Sequence, residues 1–341
     1  MIQKNIFLGI FMVCLSLFLQ GQDTFSIVAI DSVTGEVGSA GASCVGYSAG
    51  YPHGAIVLSD VIPGIGGIHT QASYLAANQQ YAHDLMMAGL PPQQIIDSLV
   101  ANDAGGNPTI RQYGIVDYNN GHPRSAAYTG INCMDYKNDT AGLYYSIQGN
   151  ILLGQLVIDS MQSRFLSTPG TLADRLMAAL QGAKMIGADT RCAVHNSSSL
   201  SSFIRVARPS DNADSLWLNL YMAYSQNFSG IVPVDPIDSL QTLYDLWKTN
   251  TSISPENTVA PLKAWSSPGG ELIFDFSRCG DYSGMSINLF DITGRLIARV
   301  QVTDRIMTLH PFKSTYQGLC FYQVMDKDRA VVVQGKIVVR W

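Results

Sequence analysis

Thr24 opens the most chemically suggestive segment of this chain, the β-compatible run 24–30, which follows an apolar leader by a few residues. Removal of the leader on export would place this threonine close to a new chain end. At a free N-terminus a threonine can be both nucleophile and base, because its hydroxyl attacks while its own α-amine, with a pKa of about 8, accepts the proton. The sequence therefore suggests Thr24 as a catalytic nucleophile.

The residues just before Thr24 decide whether this chemistry is available. Signal peptidase prefers a small residue before the cut, so cleavage after Gly21 would leave Gln22 and Asp23 ahead of Thr24 and block the α-amine. The mechanism then requires a second trimming step, or cleavage directly before Thr24. The alternative is an ordinary buried threonine in a strand.

Other polar residues could assist such a nucleophile. The Asn150 amide could donate to an oxyanion, or it could cap a helix N-terminus. Gln71 is a weaker candidate of the same type, as a substrate contact, and His69 nearby is the candidate base if the amine is not used. Asp31 ends the strand that Thr24 begins and could reach a neighbouring loop, although Asp-Ser-x-x-Gly is typical of a turn.

Asp189 and Arg191 form a third group, in a loop between a predicted helix and a predicted strand. A bidentate arginine–carboxylate contact could hold the acid group of a substrate. The two residues could equally pair with other parts of the protein. We keep both as candidates for substrate binding.

Metal and cofactor motifs are missing from the sequence. It has no His-x-x-x-His and no Cys-x-x-Cys, so we predict neither a metal nor a cofactor. Of six cysteines, Cys14 falls in the leader, and the remaining five have wide spacings. The Cys279–Cys320 pair is the first to test as a disulfide, with buried thiols as the alternative.

Residues 1–22 are predicted to be a signal peptide, with a positive charge at Lys4, an apolar core over 6–19 and Gly21-Gln22 at its end. No later segment is long enough to span a membrane, so the mature protein should be secreted or reach the cell surface through the periplasm. The formal net charge of −5 argues against nucleic acid as a partner. The oligomeric state stays open, a homo-oligomer included.

Residues 23–232 are predicted to form one domain in which strands and helices come in blocks. We expect strands over 25–30, 36–45, 55–61, 112–118, 125–129, 144–148, 199–206 and 216–223, with residues 66–73 continuing a sheet into the entry of a helix. Asn119-Asn120-Gly121 joins two of these strands and predicts a hairpin. Helical regions are expected over 75–101 (broken at 89–92, with proline in the first turn of the second helix), 151–165 and 172–185. Because the alternation of a parallel βαβ fold is missing, the predicted class is α+β with helices packed on antiparallel sheets.

A short helix over 237–248 and a polar linker fill residues 233–260. Residues 261–341 show no helical pattern and contain six strands at short spacing, 271–276, 285–291, 296–302, 305–309, 318–325 and 331–339. This spacing predicts a small all-β sandwich.

Three motifs in order resemble a bacterial family known as domain of unknown function 1028. They are Thr24-Phe-Ser-Ile-Val-Ala, Gln148-Gly-Asn-Ile-Leu-Leu-Gly154, and Leu172–Leu180 running into Gly187-Ala-Asp-Thr-Arg191. The resemblance covers about residues 24–225. It implies a fold similar to that of the N-terminal-nucleophile hydrolases, a four-layer α-β-β-α sandwich with a central first strand, and it implies Thr24 as the nucleophile.

The C-terminal part is similar to the sorting domain of the type IX secretion system of Bacteroidetes. The matching residues are Leu289-Phe-Asp-Ile-Thr-Gly294, Gly318-Leu-Cys-Phe-Tyr-Gln-Val324 and Gly335–Trp341. The Pro-Asn-Pro usual near the start of such domains is missing. The resemblance implies the type IX machinery as a partner; without it, the sandwich would be a generic adhesion or carbohydrate-binding module.

The sequence leads to competing hypotheses on function. The first is an exported hydrolase-like protein that cleaves a carbon–nitrogen bond of an unidentified small molecule, an amide or similar, with Thr24 attacking. The second is a secreted ligand-binding or cell-surface protein of the same fold without catalysis, and a weaker third is a factor associated with peptidoglycan or glycan.

Overall fold

The computed structural model describes residues 24–119 and 121–251 and, in the C-terminal region, 262–267, 271–279, 281–290, 296–310, 318–327 and 331–339. The predicted signal peptide and most of the predicted linker lie outside these residues. Within them the chain is a mixture of helices and antiparallel sheets, as the sequence predicts.

A six-stranded antiparallel sheet has the order β10-β9-β2-β1-β8-β7. Its strands are β1 (Thr24–Ile30), β2 (Val37–Ser43), β7 (Asn138–Gly142), β8 (Tyr145–Gly149), β9 (Ser201–Ala207) and β10 (Leu218–Ala223). Strand β1 is central and buried along its whole length, between β2 and β8. In the register, Thr24 faces Ser43 on β2, and Phe25 faces Gly149 on β8.

A second, four-stranded antiparallel sheet has the order β3-β4-β5-β6. Its strands are β3 (Ser59–Ile62), β4 (Gly66–Ala72), β5 (Arg111–Asn119) and β6 (His122–Thr129). Strands β5 and β6 form the predicted hairpin, with Asn119 opposite His122. Strands β1, β2 and β8 contact β3, β4 and β5, so the two sheets face one another.

Helices cover the outer faces of both sheets. Helices α1 (Ala76–Met87) and α2 (Pro92–Ala101) pack on the four-stranded sheet, and α3 (Gln155–Ser167) and α4 (Leu172–Ala183) pack on the six-stranded one. A capping box starts α4, because Thr171 Oγ1 accepts from the Asp174 amide while the Asp174 carboxylate accepts from the Thr171 amide. The described residues of this domain also form the 3₁₀ helices Gly54–Leu58, Pro108–Ile110 and Thr190–His195.

The helix predicted within the linker region belongs to this first domain. Helix α5 (Pro236–Thr251) buries Ile237, Leu240, Tyr244 and Trp247 in the same core as α3 and α4. Its apolar side chains recur at three- and four-residue spacing, so one face packs on α4, β9 and β10. The domain therefore extends through α5, well beyond residue 232.

The C-terminal region is all-β over its described residues, as predicted. One sheet has the order β11 (Lys263–Ser266), β12 (Leu272–Asp275), β15 (Ile306–Leu309), and the other has the order β14 (Leu296–Gln301), β13 (Ser286–Phe290), β16 (Gly318–Met325), β17 (Val331–Val339). Alternate residues such as Leu272, Phe274, Ile287 and Leu289 share one apolar core. The sequence did not predict β7 and β11, and the strand predicted over 55–61 is wrong in its first half, which forms the 3₁₀ helix Gly54–Leu58 ahead of β3.

The disulfide of the described chain joins Cys44 and Cys192, which are 148 residues apart. The pair proposed from the sequence is wrong, because Cys279 and Cys320 are thiols in the C-terminal region, Cys320 within its core. Nearness in the sequence did not predict the disulfide, because Cys44 follows β2 and Cys192 lies in the 3₁₀ helix Thr190–His195, and only the folded chain brings these two segments together.

Candidate functional site

Thr24 lies where three elements meet. It is fully buried in the full-length chain, and its Oγ1 has no hydrogen-bond partner among the described residues. Its backbone nitrogen lies 3.3 Å from Asn150 Oδ1, its carbonyl accepts from the Asn150 amide at 3.2 Å, and that carbonyl also accepts from Gln71 Nε2 at 3.1 Å. The structure thus brings Thr24, Asn150 and Gln71 together.

Polar side chains continue from Thr24 along the space between the two sheets. Because side chains alternate along a strand, Thr24 and Ser26 on β1 share one face, as do His69 and Gln71 on β4. We call this group the polar layer; it consists of Thr24, Ser26, Ser39, Ser59, His69, Gln71, Gln112, Ser146 and Gln148, all of them buried. Further along the same space the facing residues are apolar, namely Val28, Ile30, Val37, Val61 and Val116.

Glutamine side chains connect the polar layer across the sheets. Gln71 Oε1 accepts from Ser26 Oγ, and Gln71 Nε2 also donates to Gln112 Oε1 at 2.7 Å. Gln112 Nε2 in turn donates to the Gly149 carbonyl at 3.0 Å, and Gln148 Nε2 donates to Ser26 Oγ at 2.7 Å. A buried polar group without a partner is costly, so these bonds fix the side chains around Thr24.

His69 is a neutral member of the polar layer. Burial, with a smaller effect of the nearby Arg205 charge, lowers its pKa from 6.5 to about 3. Its Nδ1 lies 3.0 Å from Gln148 Nε2, which can only donate, so we assign the ring proton to Nε2, which contacts Ser39 Oγ at 2.5 Å. An imidazole with so low a pKa is a weak base at neutral pH. Because its Nδ1 also lies 2.9 Å from Ser26 Oγ, His69 holds Ser26 and Gln148 in position, and it does not touch Thr24 in the described contacts.

Backbone strain is concentrated beside Thr24. Ala72 has φ of 60° and Ile151 has φ of 51°, in the left-handed region that a β-branched residue such as isoleucine rarely adopts. Each directly follows a residue that contacts Thr24, Gln71 in one case and Asn150 in the other. Such strain persists only where the surrounding structure enforces it, and it clusters at functional sites.

Asp189 and Arg191 lie at the same end of the six-stranded sheet. The buried Asp189 carboxylate accepts from the Cys44 amide at 2.7 Å, and Cys44 follows Ser43, the partner of Thr24 in the register. Asp189 also accepts from Arg191 Nε at 3.0 Å and from Arg191 Nη2 at 2.7 Å. These contacts favour structural pairing over direct binding of a substrate acid.

Asp31 lies at the opposite end of β1. Its Oδ1 accepts from the amides of Val33 and Thr34, at 2.8 and 3.1 Å, so it forms the turn between β1 and β2. Because a strand rises about 3.3 Å per residue, the seven residues of β1 keep Asp31 roughly 20 Å from Thr24. The structure therefore does not bring Asp31 into the site.

Sequence reasoning missed several members of the polar layer, above all Ser26, Gln112 and Gln148. A signal was present, because polar residues stand two apart within otherwise apolar strands: Thr24 and Ser26, His69 and Gln71, Ser146 and Gln148. It also missed Arg205, which donates from Nη1 to the Ser59 carbonyl at 2.6 Å. Among the described residues, no group of three His, Cys, Asp or Glu side chains could hold a metal ion.

The fold and site define an α+β protein in which two facing antiparallel sheets enclose a polar layer next to the first strand. The chain belongs to a family of unknown function, DUF1028, whose model matches residues 24–227. A crystal structure of a DUF1028 protein from Silicibacter pomeroyi is similar, with 24% identity and a TM-score of 0.50, over 65% of this chain and 88% of that one. No curated protein matches the chain.

Proposed function

We propose that this protein is an exported hydrolase of the N-terminal-nucleophile type, which cleaves a non-peptide amide or related carbon–nitrogen bond with Thr24. The observation that carries the proposal is the Thr24 hydroxyl, which is buried without a partner while the nitrogen of the same residue faces Asn150 Oδ1. A buried hydroxyl normally has a hydrogen-bond partner. The unpaired Thr24 hydroxyl, next to a backbone nitrogen that faces Asn150, is therefore suited to be the reacting group.

The reaction would need the residues before Thr24 to be removed. The Thr24 hydroxyl then attacks the amide carbon, and its proton passes to the free α-amine, whose ordinary pKa is about 8. The α-ammonium returns the proton to the leaving nitrogen as the C–N bond breaks, and water hydrolyses the resulting ester. Asn150 Oδ1 would orient the amine, and its Nδ2 is the group suited to donate to the oxyanion.

Several features of the fold support this assignment. Strand β1 is central, two sheets face each other and helices cover both outer faces, which is the arrangement expected of an N-terminal-nucleophile hydrolase. The match to the family begins at Thr24, after the predicted leader. The strained residues Ala72 and Ile151 flank the same point.

We also propose export and sorting by the type IX machinery. The Cys44–Cys192 disulfide is supporting evidence, because disulfides form and persist in oxidising compartments. The C-terminal β-strands have an apolar core of their own, which supports a sorting domain, and Phe321 of β16 packs in the core of the first domain. In the described residues, no helix has the length and apolar character needed to cross a bilayer.

The test begins with the N-terminus of the secreted protein. Mass spectrometry should find a chain that starts at Thr24, and this protein should hydrolyse at least one member of a panel of small amides and cyclic ureides. Thr24→Ala should abolish that hydrolysis. Thr70→Ala is the matched control, because Thr70 Oγ1 is also buried without a partner, yet Thr70 points to the α1 and α2 side of β4.

A second candidate function is ligand binding without catalysis. It is favoured by the complete burial of Thr24 in the full-length chain. If the secreted protein starts at Gln22 or Asp23, the α-amine cannot serve as the base and this second function is preferred. Hydrolysis that survives Thr24→Ala would instead move the nucleophile to another residue.

The sorting proposal has its own test. Deletion of residues 260–341 should leave the first domain in the periplasm, because the sorting signal would be gone. Normal secretion of the shortened protein would contradict the assignment, whatever the outcome for Thr24.

A further inference from the structure

Exposed apolar side chains lie on the segments next to Asn150, at the end of the sheet where Thr24 lies. We define the apolar rim as Met134, Tyr136, Leu153 and Ile186, which are 52, 37, 55 and 59% exposed. Large apolar residues scattered singly on a surface are ordinary, but a contiguous group marks a place where something binds.

Backbone hydrogen bonds place the segments that carry Met134, Tyr136 and Leu153 side by side, and they reach Ala188, two residues after Ile186. The Ile151 amide donates to the Met134 carbonyl at 3.2 Å, and the Leu152 amide donates to the Tyr136 carbonyl at 2.9 Å. On the other side, the Leu153 amide donates to the Ala188 carbonyl at 3.0 Å. Segments 134–136, 151–153 and 188–190 therefore lie side by side.

This surface is continuous with the candidate site. Segment 151–153 directly follows Asn150, whose Oδ1 faces the Thr24 nitrogen. The strained Ile151 is the residue at which the chain turns from Asn150 to the rim. A molecule that reaches Thr24 past Asn150 would therefore lie against these apolar side chains.

The charges near the apolar rim are already paired. Lys137 Nζ lies 3.2 Å from Asp135 Oδ1, and the guanidinium of Arg191 contacts both oxygens of Asp189. These are all the charged residues of segments 134–137 and 186–191. The surface thus favours a hydrocarbon group over a charged one.

We propose that the apolar rim binds the hydrocarbon chain of an aliphatic acyl amide whose carbonyl lies at Thr24. The position of the carbonyl rests on the proposed function. The acyl group stays bonded to Thr24 Oγ1 after the nitrogen leaves and until water enters, so a surface that holds the chain would act in both steps.

Binding can be measured without catalysis on the secreted chain carrying Thr24→Ala. With straight-chain primary amides from acetamide to octanamide, affinity measured by calorimetry should rise about two- to fourfold per added methylene, since each buried methylene contributes that much. The double variant Met134→Ser, Leu153→Ser should weaken octanamide binding at least tenfold and leave the affinity for acetamide unchanged. If the double variant misfolds, the single variant Leu153→Ser makes the same test.

Val33→Ser is the matched control, because Val33 is 92% exposed on the turn at the opposite end of β1. Affinity that does not depend on chain length, or an equal loss in the control, would overturn the proposal. The proposal would also be overturned if the rim variant changed a dimer to a monomer in sedimentation and left amide binding unchanged, because the apolar rim would then be an interface between two copies of the chain. If affinity rises with the length of the amide chain but the wild-type protein hydrolyses none of the amides, the binding role of the apolar rim is supported and the catalytic proposal fails.

Discussion

The neutral state of His69 makes a quantitative prediction on stability. Its pKa is about 3 in the folded protein and 6.5 in the unfolded chain, so between these pH values the unfolded chain binds more protons. The contribution of His69 to the free energy of unfolding is therefore fully present well above pH 6.5 and is lost as the pH falls from 6.5 towards 3. Between pH 7.5 and pH 5.0, linkage gives a loss of about 2 kcal/mol from this one residue.

A histidine with an unshifted pKa gains a proton in this window in the folded and the unfolded state alike, so it leaves the free energy of unfolding unchanged. Carboxylates with ordinary pKa values near 4 stay ionised in both states at pH 5. Glu36 works in the opposite direction, because burial raises its pKa despite the nearby Arg208. The comparison of wild type with His69→Gln isolates the contribution of His69 from these groups.

The assay is urea unfolding followed by the fluorescence of Trp217 and Trp247, which lie in the first domain. Wild type should lose about 2 kcal/mol more than His69→Gln when the pH falls from 7.5 to 5.0. The exposed His122 gives the control, because His122→Gln should keep the wild-type dependence. Equal losses in wild type and His69→Gln, or a His69 ring signal that titrates near pH 6.5 in the folded protein, would refute the reasoning.

Three further predictions concern stability. Cys192→Ser should lower the free energy of unfolding by about 4–5 kcal/mol, because its disulfide closes a loop of 148 residues; an unchanged urea midpoint would contradict this. Gly114→Ala should cost about 1–3 kcal/mol, since the new Cβ would overlap the buried Gln148 amide, which crystallography would show displaced. Asp103→Asn should cost about 3–5 kcal/mol in urea unfolding, because it leaves the buried Arg111 guanidinium without its carboxylate, and a loss below 1 kcal/mol would disprove that account.

Local patterns predicted most elements of the first domain. Helix α2 was recognisable from Pro92 in its first turn and from the spacing of Ile95, Ile96 and Leu99, all buried on one face. The β5–β6 hairpin followed from the turn residues between its strands. Strand β7 (138–142) was missed because its sequence, Asn-Asp-Thr-Ala-Gly, has little β-propensity and forms an edge strand through its pairing with β8.

The candidate site was only partly predictable. Thr24, Gln71 and Asn150 were recognised one at a time, and the structure brings them into contact. Asp31 was proposed on the same strand, but neighbours along a strand separate by about 3.3 Å per residue, so its closeness in sequence was misleading. Gln148 was seen only as part of a motif, although it links Ser26 to the ring of His69.

By itself the sequence determined most of the strands and helices of the first domain and which strand positions share a face, because alternation and helical periodicity are local properties of the chain. It also determined that Thr24 begins the first strand of the domain. Only the tertiary structure decided that β1 lies between β2 and β8, that Cys44 bonds to Cys192, and that α5 packs on the first domain. Those contacts join residues more than a hundred positions apart or depend on faces packing together, and the choice among such partners is made by the packing of the whole core and not by any local pattern.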